Sequence, residues 1–216
     1  MSNIAVFGST GLIGSNLLKC LEYDTYFSKV NVITRKPIQI KSSKFNNIVI
    51  DFNDINSIKN SLNHSDVVFV SIGTTQSKVN WDQEKYKKID YQIPINISKA
   101  AKNLNIKKFL IVSSAGANIN AKGFYLSLKG KIERDIIKIG IENIYIFRPS
   151  LLMGKRNENR IGEKIAQVIM PMFSFLLPKK YRPINAEYVA KSMINLSKTN
   201  INSVRTYHYE DIILSK

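Results

Sequence analysis

The stretch NIAVFGSTGLIG, Asn3 to Gly14, decides how the rest of the chain is read. Its first half is a short, unbroken apolar run closed by a glycine. Apolar side chains at helical spacing then run from Leu12 to Leu21. A continuously apolar run suits a strand covered on both faces, and a strand that feeds a helix through a glycine turn is half of a β-α-β unit. The turn itself, GSTGLIG, sets glycines at 8, 11 and 14. In a dinucleotide site the first glycine makes the tight turn, the second lets the backbone approach the pyrophosphate, and the third lets helix and strand pack closely. The N–H groups at the helix start then face the phosphates.

The same alternation continues outward. KVNVIT (Lys29–Thr34), NNIVIDF (Asn46–Phe52), DVVFVSIG (Asp66–Gly73), KKFLIVSSAG (Lys107–Gly116) and NIYIFRPS (Asn143–Ser150) read as further apolar strands. Between them, Asp54 caps a short helix reaching Leu62. YQIPINISKAAKNLN is a longer helix, with Pro94 bending it or marking its first turn, and YLSLKGKIERDIIKIG is a helix ending at Gly140. Beyond Ser150 a polar loop leads to a helix near Ile161–Met170, another at Ala186–Leu196 and a last short strand, VRTYHY. The expected fold is α/β: one doubly wound Rossmann-type domain over residues 1–216, with a mainly parallel sheet and helices on both faces. A small substrate or lid region is expected from about 151–185.

Composition bounds the function. With 216 residues, 44% hydrophobic and 22% charged, the chain is globular in composition, and no linker or repeat divides it. One cysteine, Cys20, excludes an intramolecular disulfide or a cysteine zinc cluster; among Leu17, Leu18 and Leu21 it reads as a small buried thiol. His64 and His208 show no metal-ligand spacing, so no metal site is expected. The net charge of +16 is spread from Lys19 to Lys216 rather than massed. It implies weak attraction to polyanions, not specific nucleic-acid binding. The N-terminus has no basic n-region. The longest apolar run, Ile165–Pro178, is interrupted by Pro171 and falls short of the roughly 20 residues a spanning helix needs. It reads as a buried or lid-like helix, and a cytoplasmic protein without a membrane span is expected. A protein partner is left open.

The second strand ends in TRK, where a site for NAD usually carries an acid for the ribose hydroxyls and a 2′-phosphate asks for cations. Arg35 and Lys36 are cations, so NADP(H) is preferred and NAD(H) remains the alternative. Asp51 and Phe52, ending the third strand, are placed to meet the adenine. The turn Ser71–Thr75, with Ile72, Gly73 and Thr74, lines the floor under the nicotinamide ribose. In FYLSLKGKIE, Tyr125 and Lys129 fall at i and i+4 on one helix face, just after a strand ending VSS. An ammonium one turn from a phenol favours its anion, so the tyrosine can pass a proton to or from a substrate oxygen. A serine hydroxyl bonds the same oxygen. Neighbours in a strand point to opposite faces, so only one of Ser113 and Ser114 reaches the substrate.

With these pieces in this order, the chain resembles the short-chain dehydrogenase/reductase superfamily in its atypical branch, and most of all the small Tat-interacting-protein group of NADPH-binding oxidoreductases. The resemblance covers nearly the whole chain, through the glycine turn, TRK, DF, GTT, VSSAGA, FYLSLKGKIE, FRPSLLMG and RNENRIGEK. It implies Tyr125 and Lys129 as the active-site pair, and Ser114, the second of the adjacent serines, as the one that reaches the substrate. It also implies NADPH contacts from backbone around Thr10 to Ile13, from Arg35 and Lys36, and from Ile72 and Gly73; the glycine turn as a whole, Gly8, Ser9, Thr10, Gly11, Leu12, Ile13 and Gly14, is expected at the cofactor. Leu152 and Arg160 match later positions that approach the cofactor. The implied activity is reduction of a carbonyl or related small substrate, with Tyr125 as proton donor. The alternative is a catalytically weak NADP(H)-sensing module acting through a protein partner.

Overall fold

β1 (Ser2–Phe7) lies inside a parallel sheet, and the chain winds from it first to one edge and then to the other. The computed structural model describes residues 2–40, 42–154 and 178–216. α1 (Leu12–Tyr23) leads to β2 (Phe27–Thr34) and β3 (Phe45–Val49). α2 (Ile55–Ser61) then carries the chain to β4 (Val67–Val70) on the other side of β1. α3 (Gln83–Lys87), a π-helical turn (Lys88–Gln92) and α4 (Ile93–Asn103) lead to β5 (Lys108–Val112); α5 (Phe124–Ile139) leads to β6 (Asn143–Phe147). After the short strands β7 (Leu152–Met153) and β8 (Ile184–Asn185) come α6 (Ala186–Ser197), β9 (Val204–Tyr207) and α7 (Tyr209–Leu214). The sheet order is β3-β2-β1-β4-β5-β6-β9, every pairing parallel, while β7 and β8 pair apart from it. This is the doubly wound Rossmann-type fold, with the order reversing between β1 and β4.

Strand alternation sends side chains to both faces. Ala5 and Phe7 of β1 join one buried cluster with Ile58 of α2, Ile97 of α4 and Ile132 of α5. Ile4 and Val6 join the other with Leu17 of α1, Val189 of α6 and Ile212 of α7. Burial on both faces is why the strands read as unbroken apolar runs.

Several expectations shift in detail. β3 stops at Val49, leaving Asp51 and Phe52 in the turn beyond it. The helix expected from Tyr91 begins at Ile93, with Pro94 in its first turn, where a missing N–H costs nothing. A π-helical turn replaces its first residues. VRTYHY is a strand only to Tyr207. His208 caps α7, its side chain accepting from the first-turn backbone while Asp211 Oδ2 takes the His208 N–H at 2.9 Å. Asp54 caps α2 through the Asn56 N–H at 2.9 Å, as its position implies. Cys20 is half-buried rather than buried. The expected helix near Ile161–Met170, the run Ile165–Phe175 with its continuation to residue 177, and Arg160 lie outside the described residues.

Candidate active site

The C-terminal ends of β1, β4, β5 and β6 converge on one edge of the sheet, and the candidate residues follow from that. Gly8 leaves β1 at φ +83°, a left-handed conformation, and a Cβ on it would stand 2.6 Å from the Ser71 carbonyl carbon. At Gly14 a Cβ would meet the Gly8 oxygen at 2.1 Å, so α1 starts hard against the turn. Gly11 is the N-cap of α1 with no side-chain cap, and no acid stands in its first turn. The leading amides of α1 therefore face outward with a positive dipole end. Beneath them the hydroxyl of buried Ser9 has no partner among the described residues. This small, cationic, side-chain-free cradle fits a pyrophosphate.

Thr10 is exposed at the turn, whereas Ile13 is buried in the core and Leu12 is half-buried. Arg35 and Lys36 stand exposed just beyond β2, and neither meets a carboxylate among the described residues. Asp51 is exposed and accepts from the Asn53 N–H at 2.9 Å. Phe52 turns inward and packs edge-to-face on Phe7, ring centroids 6.1 Å apart, so its backbone rather than its ring faces the surface. Ile72 is half-buried against the core, and Gly73 is exposed.

α5 carries Tyr125 and Lys129 one turn apart. Tyr125 is 39% exposed, whereas Lys129 is buried, its Nζ 5.8 Å from the Tyr125 ring centre. The ammonium donates to Asp90 Oδ2 at 3.0 Å, and Asp90 is itself buried. Its other oxygen accepts the Thr74 N–H at 2.7 Å. Asp90 thus joins α5 to the loop after β4. Burial alone would push the Lys129 ammonium down, but the Asp90 charge, with Tyr125 and Glu133 behind it, outweighs burial and holds its pKa above the ordinary lysine value.

The neighbouring serines diverge. Ser113 is buried and donates to Glu133, a carboxylate also held by Arg148 through Nε at 3.0 Å and Nη2 at 2.5 Å. Ser114 is half-buried and, among the described residues, donates to the Ala115 carbonyl alone, at 3.3 Å. Ser113 is therefore committed to the interior. Asp90, Glu133 and Arg148 are the residues sequence reasoning missed.

Beside Tyr125 opens a cavity of about 520 Å3, bounded by the loop 74–77, Trp81, Tyr86 and residues 150–152. Leu152, on β7, is on its wall. No group of three or more His, Cys, Asp or Glu that could hold a metal is brought together among the described residues. No helix among them is long and apolar enough to cross a membrane.

A family model described as NAD(P)H-binding matches residues 8–161. The protein FMP52, mitochondrial, of Candida albicans is 34% identical over 203 residues, covering 91% of this chain and 88% of that protein. The protein HTATIP2 of Rattus norvegicus is 31% identical over 172 residues, covering 77% and 70%. Among solved structures, MoeE5 in complex with UDP-glucose and NAD superposes with a TM-score of 0.72 at 14% identity, over 95% of this chain and 76% of that one. A UDP-N-acetylglucosamine 4-epimerase from Methanobrevibacter ruminantium M1 gives 0.71 at 19% identity, over 96% and 76%. At such identity the likeness concerns the fold. The expectation of a cytoplasmic protein is overturned by the fungal relatives, which are named as mitochondrial.

Proposed function

The chain belongs to the NAD(P)H-binding family, in the Tat-interacting-protein-like group of atypical short-chain dehydrogenase/reductases, and on that premise we propose that it is an NADPH-dependent reductase of a carbonyl or related small substrate. The observation that carries this reading is the pair on α5: a half-exposed Tyr125 at a cavity, backed by a Lys129 that Asp90 keeps charged. Residues 1–216 act as one NAD(P)-binding unit whose substrate side comes from about 151–185. On the names of its fungal relatives it is assigned to the mitochondrion.

In this reading the turn from Gly8 to Gly14 holds the pyrophosphate, Arg35 and Lys36 hold the 2′-phosphate, and Asp51 with the Phe52 backbone borders the adenine. Ile72, Gly73 and Thr74 lie under the nicotinamide ribose, and Lys129 reaches its hydroxyls; Leu152 approaches the cofactor, a role the resemblance implies for Arg160 as well. Bound NADPH supplies the hydride that reaches the carbonyl carbon. Tyr125 gives its phenolic proton to the carbonyl oxygen, and Ser114 donates a hydrogen bond to that oxygen while Ser113 stays with Glu133. Lys129 keeps positive charge beside the phenol and so favours the phenolate left behind.

The test is Tyr125→Phe. It removes a hydroxyl from a residue with an open side, so fold and NADPH affinity should hold, while turnover falls about 10²- to 10⁴-fold, the usual weight of a positioned acid. Thermal shift reports the cofactor: NADPH at about 100 times its dissociation constant stabilises the fold by about 2.7 kcal/mol. Normal turnover by Tyr125→Phe would remove Tyr125 as the donor. Tight NADPH binding with no aldehyde, ketone or quinone reduced would make the protein a cofactor-sensing module instead.

A further inference from the structure

Trp81 sits where a tryptophan is hard to keep. It follows a short 3-10 turn (Ser77–Val79), is 72% exposed, and has φ +61°, with Asn80 before it at φ +51°. Bulky residues seldom adopt left-handed backbone, and two in succession mark a conformation that the surroundings hold in place. The Trp81 N–H donates to the Gln76 carbonyl at 2.8 Å, which ties the turn shut and leaves the indole outside it. That indole borders the same cavity as Tyr125.

The cavity's chemistry is the second observation. In a chain with 32 lysines and arginines, no charged side chain stands among its described lining residues. Its wall is Trp81, Tyr86, Tyr125, Leu151 and Leu152, and its polar groups are neutral hydroxyls and one amide. The contrast lies one turn away. The adjacent cavity of about 400 Å3 is lined by Lys78, Lys85 and Lys88. Described walls without a charged side chain disfavour a substrate anion, which would lose water there without gaining a counter-charge from them.

We propose that this cavity takes a neutral, flat, conjugated carbonyl compound, stacked on the Trp81 indole with its carbonyl oxygen toward Tyr125. The orientation of the carbonyl rests on the reductase reading above; the stacking does not. Indole faces bind flat rings by offset stacking, and a rim position lets the ring enter before its oxygen meets the phenol.

Trp81 is the one tryptophan in the sequence, so its emission reports on this site alone. The full chain is saturated with NADP+, which has no hydride to give, and titrated with 2-acetonaphthone, its ring-carboxylated counterpart and cyclohexyl methyl ketone. The naphthyl ketone should quench Trp81 saturably, and the carboxylated one should bind at least tenfold more weakly. By calorimetry, Trp81→Ala should weaken the naphthyl ketone about tenfold, Trp81→Phe should keep most of the affinity, and the cyclohexyl ketone should bind both variants and the native protein alike. Unchanged naphthyl affinity in Trp81→Ala, an equal loss for both ketones, or preference for the carboxylate overturns the proposal. If NADP+ gives no thermal shift, the reductase reading falls by itself, and the same quench on the cofactor-free protein still decides the stacking.

Discussion

Lys129 is asked to be both buried and charged, and Asp90 reconciles the two. Asp90→Asn keeps an acceptor for the Thr74 N–H but leaves the ammonium without a counter-charge. Removing one partner of a buried pair costs about 3–5 kcal/mol, largely the charge left behind. Denaturant unfolding of Asp90→Asn should show that loss, and adding Lys129→Met should recover part of it, with a coupling of about 0.5–3 kcal/mol in the double-mutant cycle. Strict additivity would mean that the two groups do not depend on each other. Tyr125 and Lys129 were legible in the sequence because they stand one helical turn apart. Asp90 was not: it lies 39 residues before Lys129, in a lysine-rich helical stretch where nothing local distinguishes it. Strand alternation separates Ser113 from Ser114 in the sequence, but the Glu133 carboxylate that takes the Ser113 hydroxyl and is held by Arg148 is brought there by α5 and the residue after β6 together.

At the scale of elements, the proposed reading divides the cofactor between the turn joining β1 to α1 and the end of β2. The first is built of backbone and cannot tell NADP from NAD; the second carries Arg35 and Lys36, exposed and without a carboxylate partner among the described residues. Replacing both with neutral residues should weaken NADPH at least tenfold and leave NADH nearly unchanged, since charge-assisted contacts contribute about 1.5–3 kcal/mol each. Equal weakening in calorimetric titrations would remove the NADP assignment. The sheet strands were visible as apolar runs because both sheet faces are covered. Their ends were not, since strand length is set by the neighbour's ladder: the pairing with β2 ends where the Ile50 N–H meets the Thr34 carbonyl at 3.0 Å, before Asp51 and Phe52. The π-helical turn before α4, which carries Asp90 to Lys129, escaped as well, since nothing in its local sequence marks it.

The whole molecule should fail at alkaline pH. Burial, with a side-chain hydrogen bond from Thr199 acting the other way, pushes the Tyr145 phenol up to about 12, against about 10 in an unfolded chain. A raised folded value means that the unfolded state sheds its proton first, so stability is whole below about pH 10 and falls as pH rises toward 12. Lys129, held above its ordinary value, acts in the same direction. Melting temperatures should therefore drop across that window, and Tyr145→Phe should flatten the drop while costing about 1 kcal/mol at neutral pH for the lost hydrogen bond. An unchanged alkaline slope would locate the titration elsewhere. A different consequence follows from the packing of α6 on α1, where Val189, Ala190 and Met193 share one cluster with Ile13, Leu17 and Leu21. During synthesis the ribosome releases α1 more than 160 residues before α6 has been made. Until then the apolar face of the first helix has no cover, and the strand that borders β6 is missing as well. The nascent chain must therefore wait, shielded by chaperones rather than by its own fold, and its two ends become stable together.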